Sequence, residues 1–286
     1  MPEKFVHAHL IMAHKDPAQL ARLFKAVNHP RNLFLVHVDS KVGADIHDCA
    51  ADLARQHGNV HVMVPRDVRW ASYSVVGATL AAIAELLRLD TGWTHFSNLS
   101  GQDYPLQTQE SIQRCLTQEI DMNFVEHFDP LTRWADGADR VRYVRFELPF
   151  IKTGFNVPRL RLNRWQRLMG DTPYYGGSSY FTLNRAFCEY MLSAEALQRY
   201  IRFFRHAFAP DEMFVHSLIM NSPFVSSVVN DNRRLIDFSQ HLPRPRIYTM
   251  AERAELLASE KFYARKFDPA VDSEIIDLLE GRLGVA

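Results

Sequence analysis

A few short stretches of this sequence carry side chains able to do chemistry. Asp211-Glu212 places adjacent carboxylates between Ala209-Pro210 and the apolar Met213-Phe214. Carboxylates in the first turn of a helix complement its dipole and satisfy its free N–H groups. A carboxylate held beside apolar residues is also how a general base is kept near a working pKa. From the residues alone capping is the better reading of Asp211, and Glu212 stays open between cap and base. His7-Ala8-His9 and His37-Val38-Asp39 each place paired ligand-type side chains on one strand face, because strand side chains alternate. Together these would form an N/O cluster for a divalent metal, the chemistry of a metal-dependent hydrolase. The competing reading is hydrogen-bonded support of the strand ends. Toward the C-terminus, Arg244-Pro245-Arg246 and Arg265-Lys266 supply cations. They are either scattered surface charge or a clamp for a diphosphate, arginine as a planar fork and lysine as a point charge.

Several common signatures are absent. The sequence has no G-x-x-x-x-G-K phosphate loop and no G-x-G-x-x-G after a strand. Gly176-Gly177-Ser178-Ser179-Tyr180 does not match the G-x-S-x-G elbow of hydrolases.

The elements that must position these residues alternate along the first 110 positions. Phe5–Ala13 is an apolar run of strand length, followed by Leu20, Leu23, Phe24 and Val27 at helical spacing within Pro17–Val27. Asp16 caps that helix and Pro17 opens it. Strands are expected at Asn32–Val38, Val60–Val64 and Trp93–Leu99, and helices at Ile46–Gln56, Ser74–Leu89 and Ser111–Leu116. Such alternation predicts an α/β fold with a mainly parallel sheet. In such sheets ligands bind at the carboxyl ends of the strands. His14, Asp39, Arg66, Trp70 and Ser100-Gly101-Gln102-Asp103 stand at those ends. Beyond them, a short strand is expected at Tyr180–Leu183, one or two helices over Arg185–Ala207 and a helix over Glu212–Met220.

Composition limits the function classes. The chain has 286 residues, 47% hydrophobic and 23% charged, which fits one large or two small ordered domains. Lys plus Arg is 33 and Asp plus Glu is 33, so no global field draws the protein to nucleic acid. Cys49, Cys115 and Cys188 form no C-x-x-C pair, and buried thiols in a reducing compartment are the expectation. No apolar run reaches the ~20 residues of a membrane span, and the N-terminus is not a signal peptide. The expectation is a soluble, cytoplasmic enzyme.

Several motifs follow one another in a fixed order: His14-Lys15, Val36–Lys41, Trp70, Leu99-Ser-Gly-Gln-Asp-Tyr-Pro-Leu106, Gly177-Ser-Ser-Tyr-Phe181, Pro210-Asp-Glu212, Val229–Asn232 and Phe262–Asp268. This ordered set resembles the core-2/I-branching β-1,6-N-acetylglucosaminyltransferase family, which also holds the peptide O-xylosyltransferases, over residues 5–270. The resemblance implies a GT-A-type nucleotide-sugar fold across residues 1–286. Its nucleotide-binding half would be residues 1–120 and its acceptor and catalytic half 121–286. It further implies an inverting mechanism, a UDP-sugar donor, a hydroxyl of a glycan or glycoconjugate as acceptor, and no metal or other cofactor. By the same likeness Glu212 is the catalytic base, His14 and Asp39 line the uridine pocket, and Trp70 with Gly177, Ser178 and Ser179 flanks the sugar. Asp103 stands alone where GT-A enzymes generally carry an Asp-x-Asp metal pair. Arg246 and Lys266 would neutralise the leaving diphosphate, with Arg244 as runner-up for the arginine. Glu126 and Arg133 are the candidate acceptor contacts. Ser179 replaces an acid of the xylosyltransferases, so UDP-GlcNAc is the first donor, and UDP-xylose and UDP-glucuronic acid are the alternatives. The short chain resembles bacterial members of surface-polysaccharide pathways, placed in the cytoplasm or at the inner membrane face. The basic and aromatic segment Lys152–Arg167 is either a contact with an anionic membrane or a solvated helix face with Trp165 and Leu168 in the core. The rivals are the hydrolase using His7, His9, His37 and Asp39, and a sugar- or nucleotide-binding module without catalysis.

Overall fold

The computed structural model describes residues 5–89, 92–146, 155–157, 164–193, 195, 197–240 and 244–285. In chain order it has β1 (His7–Ala13), α1 (Pro17–Val27), β2 (Asn32–Val38), α2 (Ala44–Gln56) and β3 (Val60–Val62). Next come α3 (Tyr73–Arg88), β4 (His95–Ser100), β5 (Asp103–Pro105), α4 (Gln109–Gln118) and β6 (Asn123–Phe124). The middle holds α5 (Pro130–Arg133), α6 (Gly137–Arg142), β7 (Val144–Phe146), β8 (Phe155–Val157), α7 (Arg164–Met169) and β9 (Thr182–Asn184). The remainder is α8 (Arg185–Ser193), α9 (Leu197–Phe204), α10 (Phe214–Met220), β10 (Val228–Val229), β11 (Arg234–Ile236), α11 (Arg253–Ala258), β12 (Tyr263–Arg265) and α12 (Glu274–Leu283). The chain divides into two compact units. One comprises Met1–Arg66, Asp90–Ile120 and Arg233–Ala286, and the other Asp67–Leu89 and Asp121–Asn232.

The first unit is an α/β layer. Its strands run β4-β1-β2-β3, all parallel, with His7 opposite both Asn32 and His95. Every residue of β2 is buried, as expected when helices cover both faces of a parallel sheet. Helix α1 begins where the sequence says it should. The Asp16 carboxylate accepts the Gln19 N–H at 2.9 Å, Pro17 opens the first turn, and the stripe Leu20, Leu23, Phe24 and Val27 is buried. Beside this layer lies a small sheet, β11-β12-β5, in which β12 runs antiparallel to β5 and parallel to β11. That pairing returns the C-terminal segment to the first unit. Tyr104, Tyr248, Phe267, Ile275, Ile276 and Leu279 form its apolar cluster.

The second unit pairs β6 in parallel with β10 and antiparallel with β9, and β7 antiparallel with β8. Helix α3 is capped by Ser72, which accepts the Ser74 N–H at 3.1 Å. Trp165 packs edge-on against Phe203 at 4.8 Å, and Phe204 against Phe214 at 5.6 Å. The helix expected from Glu212 starts instead at Phe214, because Pro210–Glu212 forms a separate 3-10 turn. Much of the segment Lys152–Arg167, including Lys152, Arg159 and Arg161, lies outside the described residues. Within it Arg164–Met169 is helical and Trp165 is buried. No helix among the described residues is long and apolar enough to cross a membrane.

Candidate functional site

In the first unit the strand ends gather a cationic group of side chains. His14 follows β1, and its pKa is lowered by partial burial and by the charges of Lys15, Arg265 and Lys266, against the pull of Asp39. Asp39 follows β2, is 7% exposed and accepts from both the backbone N–H and Nζ of Lys41 at 2.9 Å. Lys266 follows β12. Its pKa falls through partial burial and the charges of Arg265, Lys15 and Arg244, with Asp268 opposing. Lys15 itself is paired with Asp268 at 2.8 Å. His14, Asp39 and Lys266, expected from separate motifs, therefore share one neighbourhood.

Arg246 is differently placed. Its guanidinium is held by Asp237 at 3.1 Å and by Glu252. The charge of Arg244 acts on Lys266. Among the described residues Arg244 makes no ion pair. Arg265, a neighbour of Lys266 and one of the candidate clamp cations, is committed to another partner. It lies 2.7 Å from Asp103 and also bonds Ser100 Oγ.

That ion pair decides what the end of β4 can hold. Asp103 is 1% exposed and accepts from the Ser100 N–H at 2.9 Å, the Ser100 hydroxyl at 3.0 Å and Arg265. A lone carboxylate saturated by a guanidinium and neutral donors does not fit a divalent-metal site. The histidine cluster does not fit one either. Residues paired in register point to the same face, and His37 pairs with Met12, while His7 and His9 pair with Asn32 and Phe34. His37 and Asp39 thus project from the face opposite His7 and His9. His37 also lies five rungs from His7, about 16 Å along the strand. His7 bonds Ser97 at 2.7 Å, His9 bonds Tyr263 at 2.9 Å, and His37 Nε2 accepts the Arg66 N–H at 3.0 Å. Among the described residues no group of three or more His, Cys, Asp or Glu could hold a metal ion. The hydrolase expectation is overturned, and the support reading of these residues holds.

The second unit holds the carboxylates. The backbone N–H of Gly177 donates to the Glu212 carbonyl at 2.9 Å, and the Ser179 hydroxyl donates to Asp211 at 2.8 Å. The Gly177–Ser179 turn and the Pro210–Glu212 turn are therefore one assembly. Asp211 caps neither its own turn, Pro210–Glu212, nor the helix Phe214–Met220: one carboxylate oxygen accepts from Ser179, and no side-chain cap is present at either start. Gly177 is required by space: a Cβ there would lie 2.0 Å from the Glu126 carbonyl and 2.6 Å from the His216 ring. The Glu212 carboxylate meets Arg140, a residue sequence reasoning missed because no local signal ties positions 72 apart. Burial raises the Glu212 pKa and the Asp211 charge adds to it, while Arg140 opposes both. Burial likewise raises that of Asp211. Trp70 is 74% exposed, edge-on to Phe208 at 6.0 Å. Glu126 and Arg133 face each other at 3.7 Å.

The model of the Core-2/I-Branching enzyme family matches residues 7–262. The chain belongs to this family. Among its curated relatives, xylosyltransferase 1 of Canis lupus familiaris is 28% identical over 297 residues, covering 95% of this chain and 30% of that protein. Xylosyltransferase 2 of Bos taurus is 29% identical over 295 residues, covering 96% and 33%. The chain thus spans about a third of the length of the curated relatives it matches. A solved structure of the galactosyltransferase LgtC with donor and acceptor sugar analogues aligns with 96% of both chains, at a TM-score of 0.46 and 13% identity. In this Core-2/I-Branching chain, the motif residues His14, Asp39 and Lys266 fall at strand ends of the first unit, and Gly177–Ser179 and Pro210–Glu212 in the paired turns of the second.

Proposed function

We propose that this chain is an inverting glycosyltransferase that takes a sugar from a UDP-sugar without a metal ion. The observation that carries the reading is the Asp103–Arg265 pair within the cluster of His14, Lys15, Arg244 and Lys266. Where a carboxylate pair would hold a cation against the diphosphate, this chain places its own cations. Positive charge fixed where negative charge develops on a leaving group stabilises the transition state. Lys266 neutralises the departing diphosphate together with Arg244. The double engagement of Arg246 by Asp237 and Glu252 supports Arg244 in that role and a loop-bracing role for Arg246. His14 and Asp39 contact the uridine, and Trp70 with Gly177, Ser178 and Ser179 borders the sugar. Glu126 and Arg133 contact the acceptor.

Glu212 is the general base. Its carboxylate takes the acceptor hydroxyl proton as that oxygen bonds the anomeric carbon. The bond from that carbon to the diphosphate oxygen breaks, and its electron pair leaves with UDP. One displacement inverts the centre, as a general base does for water in inverting glycosidases. N-acetylglucosamine is the proposed sugar. Xylose is the second reading, favoured by the names of the curated relatives. The test compares Glu212→Gln with Lys266→Ala. The first should bind UDP like the wild type and lose 10²–10⁴-fold or so in UDP release from a UDP-sugar. The second should weaken UDP binding roughly 10- to 100-fold, the value of one charge-assisted bond. Near-wild-type turnover of Glu212→Gln would refute the base assignment.

A further inference from the structure

Arg140 touches Glu212 in the same unit, and the proposed function gives it no task. Its guanidinium is fixed from three directions. Nη1 bonds Glu212 Oε2, Nε lies 3.0 Å from Asp136, and the guanidinium carbon sits over the Trp134 ring, 3.9 Å from its centre. Only 12% of the side chain is exposed. Asp136 precedes α6 by one residue and Arg140 sits in its first turns, so the i,i+4 pair orients the side chain locally. Trp134 in turn packs edge-on against Phe128 at 4.9 Å. The fork is braced before Glu212 enters it. On the other side, the second carboxylate oxygen, Oε1, has no hydrogen-bond partner among the described residues.

We propose that Arg140 is a positioning residue for Glu212: it anchors Oε2 and leaves Oε1 to receive the acceptor hydroxyl. The inference rests on the reading of Glu212 as the base. The charges that act most on Glu212 are those of Asp211, Arg140 and Asp136. Both aspartates disfavour a further negative charge, and partial burial does too. Arg140 is the one cation among them and holds the carboxylate in the form that can accept a proton. During transfer the acceptor proton goes to Oε1, the acceptor oxygen bonds the anomeric carbon, and UDP leaves with the electron pair. Throughout, Arg140 keeps its bond to Oε2.

The test uses Arg140→Ala, Arg140→Lys, Glu212→Gln and the Arg140→Ala/Glu212→Gln double variant in the full chain. The first readout is the pH profile of kcat/KM for UDP released from UDP-GlcNAc and from UDP-xylose, with water as acceptor. Arg140→Ala should move the acidic limb upward, and Arg140→Lys should restore part of the shift. The second readout is Tm against pH and needs no donor. The Tm deficit of Arg140→Ala should be largest above neutrality and shrink as pH falls, since protonated Glu212 no longer calls for a cation. In the Glu212→Gln background that pH dependence should shrink to the part that the Asp136 pair contributes at lower pH. An acidic limb that stays in place, with a Tm deficit independent of pH, would reduce Arg140 to a packing residue on Trp134 and overturn the proposal. Turnover retained by Glu212→Gln would instead refute the base reading. An inactive Glu212→Gln with an unmoved limb in Arg140→Ala would refute Arg140 alone.

Discussion

Replacing Arg265 by alanine leaves Asp103 as a carboxylate 1% exposed to solvent. The arginine side chain it loses is itself only 17% exposed, so bulk water does not screen the pair. Breaking a buried ion pair from one side costs about 3–5 kcal/mol, because the remaining charge stays desolvated. Asp103 keeps its bonds from the Ser100 N–H and hydroxyl at 2.9 and 3.0 Å, which puts the expected cost near the lower end, about 3 kcal/mol. For chains of roughly this size each kcal/mol moves Tm by about 2–4 °C, so a fall of roughly 6–12 °C is expected. Asp103→Asn should cost less, because it removes the charge and keeps the shape. The double variant Arg265→Ala/Asp103→Asn should recover much of the loss, since no buried charge remains. Thermal unfolding and urea titration of the four proteins measure all of this. Arg265→Ala within 2 °C or so of the wild type would refute the reasoning. A double variant no more stable than Arg265→Ala would refute it too.

Other outcomes follow from the same contacts. Gly177→Ala forces a Cβ to 2.0 Å from the Glu126 carbonyl, so stability should fall by about 1–3 kcal/mol and kcat should drop as the Glu212 turn shifts; unchanged kcat would separate the two turns. Arg244→Ala should weaken UDP binding more than Arg246→Ala, and Arg246→Ala should lower Tm more by freeing Asp237 and Glu252; calorimetry returning the reverse order would make Arg246 the diphosphate arginine. Burial holds His9 and His216 neutral, their pKa values lowered to about 3. The unfolded chain binds those protons near pH 6.5 and the folded one does not, so stability is full above 6.5 and declines toward pH 3. The slope is about 1.4 kcal/mol per pH unit for each such histidine. Urea titrations at neutral and mildly acidic pH check this, and a flat profile would contradict it.

The first unit was legible because its signals are local. Pro17–Val27 and Asn32–Val38 coincide with α1 and β2, since an Asp-Pro start and a continuous apolar run each specify one element. The failures came from register and long-range contact. The alternation rule correctly paired His7 with His9, whose rings lie 3.9 Å apart, but the offset of β2 that sends His37 to the other face is not written in either strand. Asp211 looked like a cap because the 3-10 turn before α10 has no local periodicity. Its partner Ser179 and the Glu212 partner Arg140 arrive from segments that only the tertiary fold brings close.

The most direct test of metal-free diphosphate binding is a thermal-shift series with UDP, UDP-GlcNAc and UDP-xylose, each in EDTA and in Mn²⁺. A ligand at 100 times its Kd adds about 2.7 kcal/mol to the stability of the state it binds. The account predicts stabilisation by UDP and at least one UDP-sugar that is undiminished by EDTA and falls to about 0.4–1.4 kcal/mol in Lys266→Ala at the same ligand concentration. A shift that appears only with Mn²⁺, or no shift with any of the three, would contradict it.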